Sequence, residues 1–129
     1  MGDAILGLRQ VAQHADDLTR ATAFYRDVVG LRHIVTFDPP GLVFFDLGDG
    51  TRLLLEGAAP SALLYLAVDD IEAVTARLLA AGVAFEDQPH MIHHDEDGGA
   101  FGIAGVEEWM VFFRDSEGNL VGLAEGRRR

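Results

Sequence analysis

Two patterns of hydrophobic and polar positions run along the chain, and both occur twice. Residues 14–31 and 67–83 each hold apolar residues at positions i, i+3, i+7 and i+10, a spacing typical of a helix with one buried face. Each stretch starts with an Asp-Asp pair suited to an N-cap and ends at a glycine suited to a helix C-terminus. The pattern predicts two equivalent helices. Their apolar positions are Leu18, Ala21, Tyr25 and Val28 in the first and Ile71, Val74, Leu78 and Ala81 in the second.

Short apolar stretches with strand character surround both helices. One precedes each helix, at residues 8–15 and 62–68, and three follow it, separated by turns rich in glycine, proline and acidic residues. The hairpin sequence FFDLGDGTRLLLEG in the first half is matched by FFRDSEGNLVGLAEG in the second. We therefore predict an α+β fold of two tandem βαβββ modules, at about residues 8–57 and 62–126, in one domain spanning residues 1–129.

Length and composition narrow the class of protein. A chain of 129 residues is expected to form one domain with a single core. The absence of cysteine excludes disulfides, zinc-thiolate sites and a cysteine nucleophile. No apolar run approaches the roughly 20 residues of a membrane helix, and the start of the chain has no secretory pattern. We expect a cytoplasmic protein that does not span a membrane.

The charge balance bears on the choice of partner. The formal net charge is −11, and all ten cationic side chains are arginine. Phosphate backbones and anionic lipids would be repelled, so nucleic-acid and membrane partners are not expected. The basic residues Arg127 to Arg129 are expected to form a frayed terminus rather than a binding arm. The acidity favours solubility, with attraction of a cationic small molecule as the alternative.

A cluster of histidines and acids stands out after the second helix. The sequence QPHMIHHDEDGG, residues 88–99, contains three histidines and three acids, which are common metal ligands. In a regular strand His90, Ile92 and His94 share one side, and His93 points to the other. Pro89 indicates an edge strand or a bulge. We favour the interpretation of a polar edge strand running into an acidic loop, with a metal site as the alternative.

Three segments carry a resemblance to a known family: DDLTRATAFYRDVVGL in the first module, and AVDDIEAVTARLLAAGV and FFRDSEGNLVGLAE in the second. The first is similar to the first-helix sequence of the vicinal oxygen chelate superfamily, and the other two are similar to sequences of its second module. This superfamily includes glyoxalase I, bleomycin-resistance proteins, fosfomycin-resistance enzymes and extradiol dioxygenases. PPGLVFFDLGDGTRLLLE and EDQPHMIHH resemble a group of small bacterial members without an assigned reaction. The resemblance implies an incomplete barrel around a cavity, and a homodimer.

The resemblance also implies four positions at which metal-dependent members supply ligands. In this sequence they fall on Gln10, Leu63, Gly122 and Leu54, or on Glu56 in place of Leu54 if that strand is shifted by two residues. Leucine and glycine offer no side-chain donor to a divalent ion. We expect a cavity without a metal or other cofactor. The alternative is a divalent metal held by Gln10 and Glu56 with one histidine from His90, His93 or His94.

Other side chains are candidates for ligand contact. His14 shares a strand face with Gln10 and is interpreted either as an acid/base group or as a partly exposed strand-end histidine. Tyr65 either lines the cavity or packs in the core. Glu107 and Glu108 point to opposite faces, so one of them could face inward. The ligand-binding candidates are Gln10, His14, Glu56, Tyr65, His90, His93, Glu108 and Trp109.

Two hypotheses of function remain open at this point. In the first, the protein binds a small hydrophobic or cationic molecule without a metal, as a bleomycin-resistance type of protein would. In the second, it is a glyoxalase- or dioxygenase-like enzyme that uses an atypical ligand set to isomerise or cleave a small oxygenated substrate. The sequence favours a cavity without a metal, and it does not decide between binding and catalysis.

Overall fold

The helices and strands fall into two units that divide between residues 62 and 63. The computed structural model describes residues 2–100 and 102–128. Arg129, part of the predicted basic terminus, and Phe101, in the predicted acidic loop, lie outside the described residues.

The first unit contains four strands and one helix that is extended by a π-helical segment. The strands form one sheet in the order β1-β4-β3-β2, in which β1 is parallel to β4 and the other neighbours are antiparallel. The elements are β1 Gln10–His14, α1 Leu18–Ala23, the π-helical segment Phe24–Val29, β2 Arg32–Phe37, β3 Leu42–Asp46 and β4 Arg52–Glu56.

The second unit repeats this plan with one additional strand. Its sheet has the order β5-β9-β8-β6, with β7 also paired to β8. The pair β5 and β9 is parallel, as β1 and β4 are in the first unit. The elements are β5 Leu64–Ala67, α2 Ile71–Ala80, β6 Ala84–Phe85, β7 His90–Asp95, β8 Val106–Arg114 and β9 Leu120–Arg128.

The predicted α+β class and the repeated order of elements are confirmed, with one difference in the second module. The single strand expected around VAFEDQPHMIHH is divided into β6 and β7, both antiparallel to β8. The interruption contains Pro89, which has no N–H for a strand ladder. Among the described residues, no helix is long and apolar enough to cross a membrane.

Both helices begin and end where the sequence predicts. The Asp17 carboxylate accepts a hydrogen bond from the Arg20 backbone N–H at 3.0 Å, and Asp70 does the same for Ala73 at 3.1 Å. These N-caps satisfy donors that would otherwise lack an intrahelical partner. After the first helical stretch Gly30 adopts φ +92°, a left-handed conformation that favours glycine.

Each helix covers one face of its own sheet, and the core of each unit lies between them. In the first unit Ala21 and Tyr25 are buried, as the apolar stripe predicts. In the second unit Ile71 and Leu78 are buried, whereas Ala81 is exposed and Thr75 is buried. Burial of these side chains supplies the main favourable term in folding. We call the opposite, helix-free side of each sheet its open face.

The core of the first unit includes a polar side chain without a polar partner. Gln13 lies on β1, on the face towards α1, and its side chain is fully buried. Within the described residues neither its amide oxygen nor its amide nitrogen has a hydrogen-bond partner. A buried amide without partners costs about 1–3 kcal/mol of stability. This position therefore opposes folding rather than supporting it.

Replacing Gln13 with leucine is expected to raise the free energy of unfolding by about 1–2 kcal/mol, because it removes the uncompensated amide while nearly conserving volume. Urea denaturation followed by circular dichroism measures this change. Gln88→Leu, at an exposed position, is the matched control and is expected to change stability by less than about 0.5 kcal/mol. A loss of stability in Gln13→Leu would show that the amide is satisfied in solution.

A network of charges connects β9 with the start of α2. Glu125 is buried, and its Oε1 accepts a hydrogen bond from the Ile71 backbone N–H at 2.8 Å. The Arg127 guanidinium donates to Glu125 at 2.8 Å and to Glu72 at 2.7 Å, and it stacks over the Trp109 ring at 4.2 Å. Hydrogen bonds to Glu125 and then to Glu72 raise the pKa of Arg127 above its ordinary value.

The prediction that Arg127 belongs to a frayed terminus is therefore wrong. Strand β9 continues to Arg128, and Arg127 lies opposite Glu107 of β8. The hydrophobic pattern of the strand ends before these arginines, so it gives no indication that the ladder continues. At the end of this strand Arg127 binds two carboxylates, that of Glu125 on β9 and that of Glu72 in the first turn of α2.

Substituting Arg127 with methionine is expected to lower the thermal midpoint by several degrees, because it leaves the buried Glu125 carboxylate without its cation. Arg128→Met removes the same charge from the exposed neighbouring residue and is expected to have little effect. Differential scanning calorimetry compares the two variants. Equal midpoints in both would mean that the network does not stabilise the second unit.

Candidate functional site

The open face of the first sheet carries side chains in three rows across the strands. The buried Leu53 and Leu55 face α1, so their neighbours along β4 point to the open face. Strand register then determines which residues are adjacent. The first row, which we call the polar row, contains Gln10, Arg52, Asp46 and Arg32. The second, which we call the apolar row, contains Ala12, Leu54, Phe44 and Val35. The third row contains His14 and Glu56.

Arg52 is fixed at the centre of the polar row. Its Nε donates a hydrogen bond to the Gln10 side-chain oxygen at 3.0 Å. Its guanidinium carbon lies 5.9 Å from the centre of the Phe44 ring, a cation–π arrangement. Gln10 therefore presents its amide oxygen to a cationic side chain on the neighbouring strand.

Asp46 lies next to Arg52 in the row, but its carboxylate is held by other groups. Its Oδ1 accepts from the Gly48 backbone N–H at 2.8 Å, and its Oδ2 accepts from Arg32 at 3.0 Å. These hydrogen bonds, that of Gly48 first, lower the pKa of Asp46 below its ordinary value. The carboxylate is ionised at neutral pH and belongs to the turn after β3.

His14 and Glu56 are register partners at the other end of the open face. The His14 ring nitrogen Nε2 lies 2.7 Å from Asp16 Oδ1, and its backbone N–H donates to Ser61 at 3.0 Å. Gln10 and Glu56 are separated by four residues along paired strands, which is about 13 Å at the usual rise. This geometry does not bring Gln10 and Glu56 together around one ion.

The open face of the second sheet is dominated by aromatic rings around a glycine. Tyr65 of β5 and Phe112 of β8 are both register partners of Gly122 on β9. Their rings meet edge to face, with centroids 5.7 Å apart. A Cβ at position 122 would lie 2.8 Å from Phe112 and 3.2 Å from Tyr65. The two rings occupy the space of a side chain, so Gly122 is required for this packing.

A bulge in β7 changes the predicted arrangement of the histidines. The register with β8 shifts between Met91 and His93, so that His90 lies opposite Met110 and His93 opposite Glu108. His94 lies opposite Glu107 on the other side. The predicted common face of His90, Ile92 and His94 is therefore wrong, because a bulge inserts one residue and reverses the alternation after it. The predicted edge position is confirmed, since β8 is the paired neighbour of β7 in the described chain.

Glu108 and Trp109 point to opposite faces of β8. Glu108 is the partner of Gly126 and lies on the open face with Phe112. Trp109 is the partner of Glu125, and its indole N–H donates to Glu107 at 2.9 Å. Trp109 thus lies on the helix side of the sheet, with the Arg127 network, and not beside Tyr65.

The side chains at the four family metal positions do not fit a divalent cation. Gln10 already accepts a hydrogen bond from a guanidinium, whose positive charge would repel a metal ion. Leu54 and Leu63 offer no donor atom, and the rings beside Gly122 leave no room for a longer side chain. Glu56, the alternative to Leu54, carries a carboxylate but lies about 13 Å along the strands from Gln10. The side chains at these positions therefore do not support a reaction step at a bound metal.

A different acidic group satisfies a simple distance criterion for metal binding. In the part of the chain that the structure describes, the group of three such ligands within 4.8 Å of one another is Asp70, Glu72 and Glu125. Two of these carboxylates bind Arg127, and Asp70 caps α2. Their proximity is explained by the helix cap, and the predicted histidines are not part of this group.

Arg52 and Phe112 are the open-face residues that sequence reasoning missed. The pattern places Arg52 at the start of an apolar strand, where an exposed position is the usual expectation. Its position beside Gln10 depends on the register of β1 with β4, which is a long-range property. The alternation of EEWMVFFR would have placed Phe112 on the same face as Glu108.

The comparisons with known proteins agree with this architecture. The family model of the Glyoxalase/Bleomycin resistance protein/Dioxygenase superfamily matches residues 7–123. The chain therefore belongs to this superfamily, as its sequence resemblance predicts. No curated protein sequence matches the chain.

Solved structures with the same fold have different described functions. TnmS3, an antibiotic binding protein from Streptomyces sp. CB03234, is 25% identical with a TM-score of 0.76, and the match covers 96% of this chain and 98% of that one. Lactoylglutathione lyase from Agrobacterium tumefaciens is 28% identical with a TM-score of 0.68, covering 95% and 96%. A superfamily member from Sphaerobacter thermophilus DSM 20745 is 21% identical with a TM-score of 0.74, covering 94% and 98%, and shows the fold alone.

Gly122→Ala is expected to destabilise the protein by about 1–3 kcal/mol, because the added Cβ would overlap the Phe112 and Tyr65 rings. Gly126→Ala, four residues along the same strand, is the matched control, since the nearest atom to its Cβ would be 3.5 Å away. Urea denaturation distinguishes the two. If both variants are equally stable, the rings do not define the space at position 122.

Proposed function

We propose that this protein binds a small apolar molecule, with an aromatic or other flat ring system, without using a metal. The observation that supports this most strongly is the kind of side chain found at the positions where metal-dependent members of the family supply ligands. An amide bound to a guanidinium, two leucines and a glycine beneath two rings stand where donor atoms would be needed. These groups favour contact with a ligand over activation of a substrate by a Lewis acid.

Exposed aromatic groups on the open faces supply the contact surface. Tyr65 is 53% exposed and Phe37 is 49% exposed, and each packs edge to face against a second ring, Phe112 and Phe44 respectively. Exposed apolar groups that adjoin one another on a protein surface often mark a ligand-binding site. Rigid aromatic pairs offer flat surfaces on which a ring system can stack with little loss of side-chain entropy.

The similarity to TnmS3 supports the same proposal. That protein is described as antibiotic binding, and its match extends over nearly the whole of both chains. We infer that this chain likewise binds a small molecule, and that it does so as a cytoplasmic homodimer, the assembly that the family resemblance implies. Sedimentation velocity is the measurement that decides the assembly, and a monomer would contradict it.

A metal-dependent enzyme is the second candidate function. The 28% identity to a lactoylglutathione lyase favours it. Such an enzyme would need a ligand set other than Gln10 with Glu56, because those two residues lie in different rows of the sheet.

Metal analysis separates the two functions. Protein purified without chelator is expected to contain far less than one equivalent of nickel, zinc, iron or manganese, and dialysis against EDTA is expected to leave its thermal midpoint unchanged. Inductively coupled plasma mass spectrometry supplies the metal content. One tightly held equivalent would support the enzyme and contradict the proposal.

A further inference from the structure

We propose that Arg52 forms a subsite for a carboxylate of the bound ligand, on the open face of the first sheet. This inference rests on the proposed binding function and names the polar group that the ligand carries. It restricts the proposed ligand from any small apolar molecule with a flat ring system to an aromatic acid. The inference is supported by the position of the Arg52 guanidinium, which is held in place directly beside the apolar row.

The guanidinium is held in place before any ligand arrives. One of its five N–H groups donates to Gln10 Oε1, and its plane packs near the Phe44 ring. Two independent contacts on a long side chain reduce the number of rotamers that binding would otherwise have to restrict. In the described residues the outer N–H groups of Arg52 have no hydrogen-bond acceptor. They are therefore available as a pair for a carboxylate.

No carboxylate of the described chain neutralises Arg52. Salt bridges within 4.0 Å form between acids and Arg26, Arg32, Arg114 and Arg127, whereas Arg52 forms none in the part of the chain described. Asp46, its neighbour on β3, is turned towards Arg32 and the Gly48 N–H. In a chain with a formal net charge of −11, an unneutralised and half-buried arginine at a ligand-facing position is unusual.

The apolar row provides a place for the rest of such a ligand. Leu54 is two residues after Arg52 on β4, and its partner Phe44 is two residues before Asp46 on the antiparallel β3, a separation of about 7 Å. A fused bicyclic ring attached to a carboxylate has this length. The carboxylate would meet Arg52 while the rings cover Leu54 and approach Phe44. The polar and apolar groups are thus spaced for one amphipathic molecule.

The alternative of a cationic ligand is disfavoured at this site. A positive group would have to approach the Arg52 guanidinium, and the acid closest in register already binds Arg32. Glu56 lies in the third row, four residues from Arg52 along β4, or about 13 Å. A cation bound there would not contact the polar row.

The test compares two probes that differ only in charge, 2-naphthoate and 2-naphthamide. Each is titrated into the full-length protein at low ionic strength, and binding is followed by backbone amide shifts of residues in β3 and β4. We expect 2-naphthoate to bind about tenfold more tightly, since a paired hydrogen bond between two charged groups supplies at least this factor. Both probes are expected to shift the same strands.

Arg52→Gln is expected to reduce the affinity ratio of the two probes to about one, while binding of 2-naphthamide is retained. Arg26→Gln is the matched control, because it changes net charge equally on the helix side of the same unit and should leave the ratio near ten. Circular dichroism confirms that each variant is folded. A ratio unchanged in Arg52→Gln would overturn the subsite.

Gln10→Glu tests the same idea with the arginine in place. A carboxylate at position 10 would occupy the guanidinium and compete with the probe, so the ratio is expected to fall towards one. A ratio that stays near ten in this variant would overturn the inference.

The outcomes separate this inference from the proposed function. Equal affinity of both probes for the unmodified protein would overturn the subsite and leave the binding function standing. Shifts confined to other elements would also overturn the subsite alone, whereas failure of both probes to bind would overturn the two together.

Discussion

The parallel pairing of β1 with β4 determines the chemistry of the first unit. It places Gln10 beside Arg52 and His14 beside Glu56, so that each polar residue on the open face of β1 meets a charged residue of β4. A shift of two residues would place Gln10 beside Leu54 and separate the amide from the guanidinium. The helix that connects β1 to β2 covers the other face, and this burial opposes a slip by one residue, which would turn Leu53 and Leu55 to the open face.

The same plan gives the second unit a different surface. Its parallel pair, β5 with β9, places Tyr65 beside Gly122, where the first unit has Ala12 beside Leu54. The absence of a side chain at Gly122 allows Phe112 and Tyr65 to come together. One unit therefore presents a fixed charge next to an apolar row, and the other presents an aromatic pair. Two copies of one architecture have been specialised through a few open-face positions.

The sequence predicts local features of this fold well. Helix starts follow from Asp17 and Asp70, and the repeated spacing of apolar residues gives the buried face of each helix. Strand positions follow because alternation and turn residues act over a few neighbouring residues. These features depend on short-range contacts, which a single sequence records directly.

Long-range features could not be predicted in the same way. The bulge after Met91 reverses the faces of the histidines, although nothing in QPHMIHH indicates where the extra residue falls. Arg127 looked like part of a free terminus because its partners, Glu72 and Glu125, become visible only after β9 packs beside α2. Arg52 was missed for a similar reason, since its role depends on strand register.

The position of the single tryptophan has a practical consequence for spectroscopy. Trp109 lies under the Arg127 guanidinium on the helix side of the second sheet, with its indole N–H bound to Glu107. Its emission therefore reports the local order of the β8–β9 ladder and the start of α2. The first unit contains no tryptophan, so the open face around Arg52 carries no such fluorophore. The intrinsic tryptophan fluorescence of this protein therefore reports folding of the second unit. Binding of a ligand to the first sheet has to be followed with another label.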